Sequence, residues 1–249
     1  MAVQPARRGC ATRAVWVFIL RGYGVQFRAE YSILNGTLIP YDLPIQELEK
    51  MLYSPIMKDF SLACEALSYK SDPKAYQIMK THINSKDKYR RLYILKTIYR
   101  HPEAVELVDV LESAITCDDF LFVENGLIVV SEYGIKVSER ILVTAVRKYC
   151  ADLYTAVGAL KTLAINNENY EEITEIFTVC SKCAQKEVLA NILCNGYLPQ
   201  KSKELFELFK KDAFGKIRLL ALEIGKKYGL DVDDFLTDPD GHIRKAVET

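Results

Sequence analysis

Cys180 and Cys183, separated by two residues, are the pair of side chains in this sequence whose spacing most suggests chemistry. Thiolates at this spacing bind zinc when a second pair follows, and they form redox sites when they lie beside a βαβ unit. The sequence shows neither context. We interpret the pair as core packing, because residues i and i+3 of one helix share a face. A redox-sensitive thiol and a metal ligand stay open as alternatives.

The three histidines, His82, His101 and His242, are scattered along the chain. No cysteine or carboxylate stands at ligand spacing from any of them, so we interpret all three as surface or boundary residues. The sequence also lacks a glycine-rich phosphate loop, a serine nucleophile elbow and an HExxH motif. It therefore predicts no catalytic residue, no metal site and no cofactor, and the protein is not expected to be an enzyme.

Composition describes an ordinary globular chain of 249 residues, of which 49% are hydrophobic. Its 33 basic residues balance its 33 acidic ones. A nucleic-acid-binding protein normally carries a basic excess, so nucleic acid is not the expected partner. The cysteine count is odd, at seven, and six of the cysteines fall within predicted helices. This usage is typical of reduced thiols in a cytoplasmic protein rather than of a disulfide framework.

Residues 1–42 differ from the rest of the chain. Several arginines, from Arg7 to Arg28, precede the first acidic residue, Glu30, and surround the apolar run Ala14–Leu20. That run is too short to span a membrane, which needs about 20 residues. We expect a poorly ordered extension; a start codon assigned too far upstream, a signal peptide and an organelle-targeting segment are the alternatives. The Asn35-Gly36 pair predicts a β-hairpin within residues 25–39.

From Leu43 onward the sequence has helical periodicity and a repeated unit of about thirty residues. Counted from the first residue of each unit, positions +3 and +7 are mostly apolar or small, which predicts an inward packing stripe. Aspartates 59, 87, 119 and 152 are predicted helix N-caps, and helices are expected over 102–115 and 152–165, among others. The units begin at Asp59, Asp87, Asp119, Asp152, Lys186, Phe214 and Asp240.

The last two units resemble the second helix of a HEAT repeat. Asp240-Gly-His-Ile-Arg-Lys-Ala and Phe214-Gly-Lys-Ile-Arg-Leu-Leu-Ala share an aliphatic-arginine pair followed by alanine. The resemblance implies an all-α fold, a right-handed α-solenoid of about six HEAT-like (armadillo-like) helical hairpins over residues 43–249. It also implies that Arg91, Arg218 and Arg244 belong to a structural Asp/Arg ladder between repeats.

Most proteins with HEAT-like arrays are scaffolds that hold another protein in a concave groove, and the resemblance implies this role here. We therefore expect a protein-protein interaction module, monomeric alone, with no membrane partner. A regulatory subunit or lyase-like accessory enzyme and a HEAT-like nucleic-acid binder are the alternatives. Positions opposite the packing stripe predict the partner-binding residues. These are Tyr89, Tyr93, Lys96, Arg100, Leu121, Asn125, Ile128, Tyr154, Lys161, Ile192 and Asn195.

Overall fold

A computed structural model describes residues 33–34, 37–153 and 156–248 of the chain. The regular secondary structure of these residues is helical, as predicted, apart from one antiparallel pair of short strands, β1 (Ile33–Leu34) and β2 (Thr37–Leu38). Ile33 pairs with Leu38 and Leu34 with Thr37, so the strands flank the predicted Asn-Gly turn and confirm this part of the hairpin. The arginine-rich stretch and residues 25–32 of the predicted hairpin lie outside the described residues.

The described residues divide into two compact units, the first ending at Leu107 and the second beginning at Val108. The elements of the first unit are α1 (Ile45–Leu52), α2 (Met57–Ser68), α3 (Pro73–Thr81), α4 (Lys88–Ile98) and a 3-10 segment, Pro102–Leu107. Here α2 packs on α1, α3 and α4, because its apolar residues occur on nearly all sides. The core of the unit includes Phe60, Leu67 and Ile94, all fully buried.

The second unit is described by itself, and its helices are α5 (Val108–Thr116), α6 (Phe120–Tyr133), α7 (Glu139–Tyr149), α8 (Asn167–Val179), α9 (Cys183–Tyr197), α10 (Ser202–Lys210), α11 (Gly215–Tyr228) and α12 (Gly241–Glu248). Two 3-10 segments, Ala156–Thr162 and Asp233–Thr237, lie between them. Alternate elements pack in series: α6 contacts the Ala156–Thr162 segment, which contacts α9, which contacts α11, which contacts α12.

Local capping explains several helix boundaries. The carboxylate of Asp87 accepts hydrogen bonds from the amides of Tyr89 (2.8 Å) and Arg90 (3.2 Å), and Asp119 caps α6 in the same way. These two predicted N-caps are confirmed. The prediction for Asp59 is wrong, because α2 already begins at Met57 and the Asp59 carboxylate accepts a bond from the Ser54 hydroxyl instead. For Asp152, the amides it would cap belong to residues 154 and 155, which lie outside the described residues.

Glycine ends two of the helices. Gly134 and Gly229 follow α6 and α11 with φ of 65° and 67°, and their amides donate to carbonyls of the last helical turn. Only glycine adopts this left-handed conformation without steric cost. The sequence Tyr133-Gly134 therefore marks the end of α6, and Tyr228-Gly229 marks the end of α11.

Two predicted helices differ in the structure. The stretch predicted over 102–115 begins as the 3-10 segment Pro102–Leu107 and becomes α-helical only at Val108. The stretch predicted over 152–165 contains the 3-10 segment Ala156–Thr162 in place of an α-helix. That segment includes Gly158, whose helix propensity is poor. A Cβ at Gly158 would lie 2.7 Å from the Ser131 hydroxyl, so the segment also approaches α6 too closely for a larger residue.

The predicted inward stripe is confirmed at most described positions. Leu62, Ile94 and Leu189 are buried, as are Ile217 and Ile243. Each fully buried aliphatic side chain contributes about 1.5–3 kcal/mol relative to an exposed one. The repeat pattern therefore marks the positions that stabilise the fold.

Arginine side chains near the start of α4, α11 and α12 form hydrogen bonds to neighbouring segments of the chain. Arg218 makes a bidentate pair with Asp238 at 2.7 and 2.9 Å, and Arg244 donates to the Asp238 carbonyl. These contacts agree with the structural interpretation of both arginines. In the first unit Arg90 donates to the carbonyls of Leu52 and Ser54, whereas the prediction named Arg91.

None of the described helices combines the length and apolar character needed to cross a bilayer.

Candidate functional site

An open groove of about 320 Å³ runs along α9 in the second unit. Its walls come from the Ala156–Thr162 segment, the loop that follows, α8 and α9. Apolar side chains dominate the lining, and Lys161, Asn191 and Asn195 supply its polar groups. The apolar lining includes Leu163, Ile165, Ile173, Val188, Ile192 and Tyr197.

The periodicity of α9 determines which of its residues face the groove. Leu189 and Leu193, four residues apart, are fully buried on the inner side of the helix. Val188 and Ile192 each come one position before one of these leucines, Asn195 follows Ile192 by three residues, and all three line the groove. The helix thus buries one aliphatic stripe and leaves a second, partly apolar stripe accessible.

The opposite wall is made by the loop after residue 162. Ile165 is 69% exposed there, which is unusual for a large aliphatic side chain and brings its surface to the groove edge. It lies beside Gly196, where a Cβ would be an ordinary 3.7 Å from Ile165 Cγ1. Below, Tyr197 is buried and packs edge-to-face on Tyr170, with ring centroids 5.0 Å apart. The groove therefore has a packed aromatic base and an exposed aliphatic rim.

A second depression, of about 290 Å³, lies between α9 and α11. Here the Lys216 ammonium pairs with Glu187 Oε1 at 2.9 Å, and the Cys183 thiol donates a hydrogen bond to the same oxygen at 3.3 Å. The hydrogen bond from Lys216 lowers the pKa of Glu187. Partial burial, followed by the nearby Glu187 carboxylate, raises the pKa of the Cys183 thiol. A raised pKa decreases the fraction of thiolate, which is the nucleophilic form of cysteine.

Cys180 and Cys183 do not share one helix, contrary to the sequence interpretation. Cys180 ends α8, whereas Cys183 is the first residue of α9. Cys180 is buried, with its sulfur 3.8 Å from the Cys150 carbonyl oxygen, while Cys183 is only half-buried. Only Cys180 therefore fits the predicted core position. Within the described residues no group of three or more His, Cys, Asp or Glu side chains is arranged to hold a metal ion.

The histidine interpretation is wrong for His101, which is only 6% exposed. Its ring packs on Tyr76, with centroids 5.9 Å apart. His82 is half-buried between Tyr53 and Phe60, and His242 is exposed, as a surface or boundary residue should be. The three histidines therefore lie in three different environments.

The structure brings together three of the predicted partner-binding residues, Lys161, Ile192 and Asn195, in the groove along α9. On α6, Leu121 is exposed and Ile128 is half-buried. Asn125 does not point outward as predicted: it is 9% exposed, and its side-chain amide donates to the Leu121 carbonyl at 2.6 Å.

The other predicted residues lie elsewhere. Tyr154 is outside the described residues. In the first unit, Tyr89 is 59% exposed, and Tyr93 and Lys96 are half-buried on α4. Arg100 is held within its own unit, since it donates to Glu65 at 2.8 Å and to the Ser68 hydroxyl at 2.7 Å.

No known protein family matches this sequence, and no curated protein is significantly similar to it. A crystal structure of an engineered protein is similar over 82% of this chain and 93% of its own, with 16% sequence identity and a TM-score of 0.41. A likeness at this level supports no inference about function.

Proposed function

We propose that this protein is a non-enzymatic interaction module that holds a segment of a partner protein in the groove along α9. The observation that carries the proposal is an accessible aliphatic surface, formed by Ile165, Val188 and Ile192, on a packed base. Water-accessible apolar grooves that also carry a few polar groups favour protein segments, because burying apolar surface is the main source of affinity.

The size of the groove also fits this role. Its volume of about 320 Å³ is at the lower end of the range for ligand pockets, about 300–1,000 Å³. A few anchoring side chains of a peptide would fill it. Lys161 is the single charged residue of the lining, which favours a protein segment over a polyanion such as nucleic acid.

We further propose that the helices form a HEAT-like solenoid. The serial packing of α6, the Ala156–Thr162 segment, α9, α11 and α12 supports this architecture, as does the buried repeat stripe. In such an array the accessible side of α9 belongs to a row of second helices, where partners of solenoids are expected to bind. A cytoplasmic location is part of the same proposal, because six described cysteines carry free thiols.

The proposal is tested by placing a charge in the groove. Ile192→Asp should remove partner binding, because a carboxylate would face the aliphatic walls. Leu236→Asp is the matched control: Leu236 is an exposed aliphatic residue of the second unit outside the groove. Affinity purification from native cells with wild type and both variants, followed by mass spectrometry, identifies proteins lost only with Ile192→Asp.

Each such protein is then purified and its Kd measured against the three forms. An equal Kd for wild type and Ile192→Asp, with unchanged helicity, would contradict the proposed function.

A further inference from the structure

Two lysines, Lys216 and Lys161, lie on either side of α9, and they differ in whether an acidic side chain is paired with them. Lys216, between α9 and α11, is neutralised by Glu187 at 2.9 Å. Lys161, which lines the apolar groove, is exposed, and within the part of the chain that the structure describes its ammonium makes no ion pair. The groove therefore presents one uncompensated positive charge beside an aliphatic surface.

The polar groups that share the groove with Lys161 do not compensate this charge. Asn191 and Asn195 are uncharged amides, and Asn191 already donates to the Glu187 carbonyl at 2.9 Å. The rest of the lining is aliphatic, aromatic or glycine. A cation at the edge of a low-dielectric wall attracts an anionic partner group more strongly than it would on an open surface.

We infer that the groove selects protein segments in which an aliphatic side chain is accompanied by an aspartate or glutamate. The aliphatic side chain fills the space between Ile165 and Ile192, and the carboxylate pairs with the Lys161 ammonium. A basic side chain at the same place is repelled, so Lys161 contributes specificity as well as affinity. This inference rests on the proposed function and adds the chemistry of the partner.

The test uses defined peptides rather than an unidentified ligand. Phage-displayed random peptides of about 12 residues are selected on the immobilised full chain in three forms: wild type, Lys161→Glu and Ile192→Asp. Selection on wild type should enrich Leu, Ile, Met or Phe together with Asp or Glu. Selection on Lys161→Glu should keep the apolar residue and replace the acid by Lys or Arg.

Binding constants then measure the pair directly. An enriched peptide is synthesised with its acidic residue intact and with that residue changed to lysine. Since exposed ion pairs are weak, the acidic peptide should lose about fivefold in affinity on Lys161→Glu, and the lysine peptide should gain by a similar factor.

The outcomes separate the two proposals. Suppose that apolar residues are enriched on wild type and that this enrichment is lost on Ile192→Asp. If acidic residues are then not enriched, or if their enrichment is unchanged on Lys161→Glu, the inference is overturned and the proposed function stands. Enrichment that is indifferent to Ile192→Asp would overturn both.

Discussion

Lys186 and Arg218 of the second unit each pair with an aspartate that lies just before the second next helical element of the chain. Lys186 pairs with Asp212 at 2.5 Å, as Arg218 does with Asp238, and both aspartates also accept a bond from the amide two residues later. Lys186 also packs over the Phe177 ring, 4.7 Å from its centroid. Lys186 in α9 therefore makes the same kind of contact as Arg218 in α11.

Asp212→Ala should destabilise the protein by about 3–5 kcal/mol, because it leaves the buried Lys186 ammonium without its partner. Urea unfolding followed by circular dichroism measures the loss. Glu175→Ala is the control, since Glu175 forms an exposed ion pair with Arg147 and exposed pairs contribute little. Equal losses for the two variants would show that the buried pair has no special role.

We expect the stability of the first unit to depend on pH through His101, which is buried, and His82, which is half-buried. Burial lowers the pKa of both His82 and His101; Arg90 lowers it further at His82, whereas Glu49 at His82 and Glu103 at His101 oppose the shift. The folded protein therefore binds protons less readily than the unfolded chain, whose histidines titrate near pH ~6.5. Stability is complete above that pH and falls as the pH decreases through it.

We expect the urea midpoint to decrease between pH 7.5 and pH 5.5, and to decrease less in His101→Gln, which cannot take up the proton. The comparison is of slopes, so a constant loss of stability in the variant does not affect it. An identical pH dependence in wild type and variant would exclude His101 as a cause.

At the scale of elements, the sequence predicts helices where capping and periodicity agree. α4 and α11 each begin one residue after a predicted unit start, Asp87 and Phe214 respectively. The prediction is wrong at the Ala156–Thr162 segment, where the apolar residues keep helical spacing but the chain forms a 3-10 segment in place of an α-helix. It is wrong again at Cys180 and Cys183, because the turn between α8 and α9 has neither glycine nor proline to mark it.

Close packing of α11 gives a prediction for Gly225. A Cβ there would lie 2.6 Å from Val232 Cγ1 and 2.8 Å from Phe206 Cε2, so Gly225→Ala should cost about 1–3 kcal/mol despite the better helix propensity of alanine. Thermal unfolding measures the effect. Gly196→Ala is the matched control in α9, where the new Cβ meets Ile165 only at 3.7 Å, and it should be neutral or slightly stabilising. The same shift in both variants would contradict this difference in packing.

At the scale of the whole molecule, the candidate site was predicted in part. Helical spacing opposite the buried stripe identified Ile192 and Asn195, since both lie on one helix and follow its period. The same spacing placed Lys161 on an expected α-helix, and it lines the groove from a 3-10 segment. Ile165, Ile173 and Tyr197 were missed. Ile165 comes from a loop and Ile173 from the preceding helix, so only tertiary packing brings them to α9.

Methyl NMR of the full chain, titrated with a peptide selected on the wild type, tests the groove most directly. We predict that the largest chemical-shift changes occur at the methyl groups of Ile165, Val188 and Ile192, which line the groove along α9. Changes confined to methyl groups outside it, such as those of Ile56 or Leu236, would show that peptides bind elsewhere and would contradict the account.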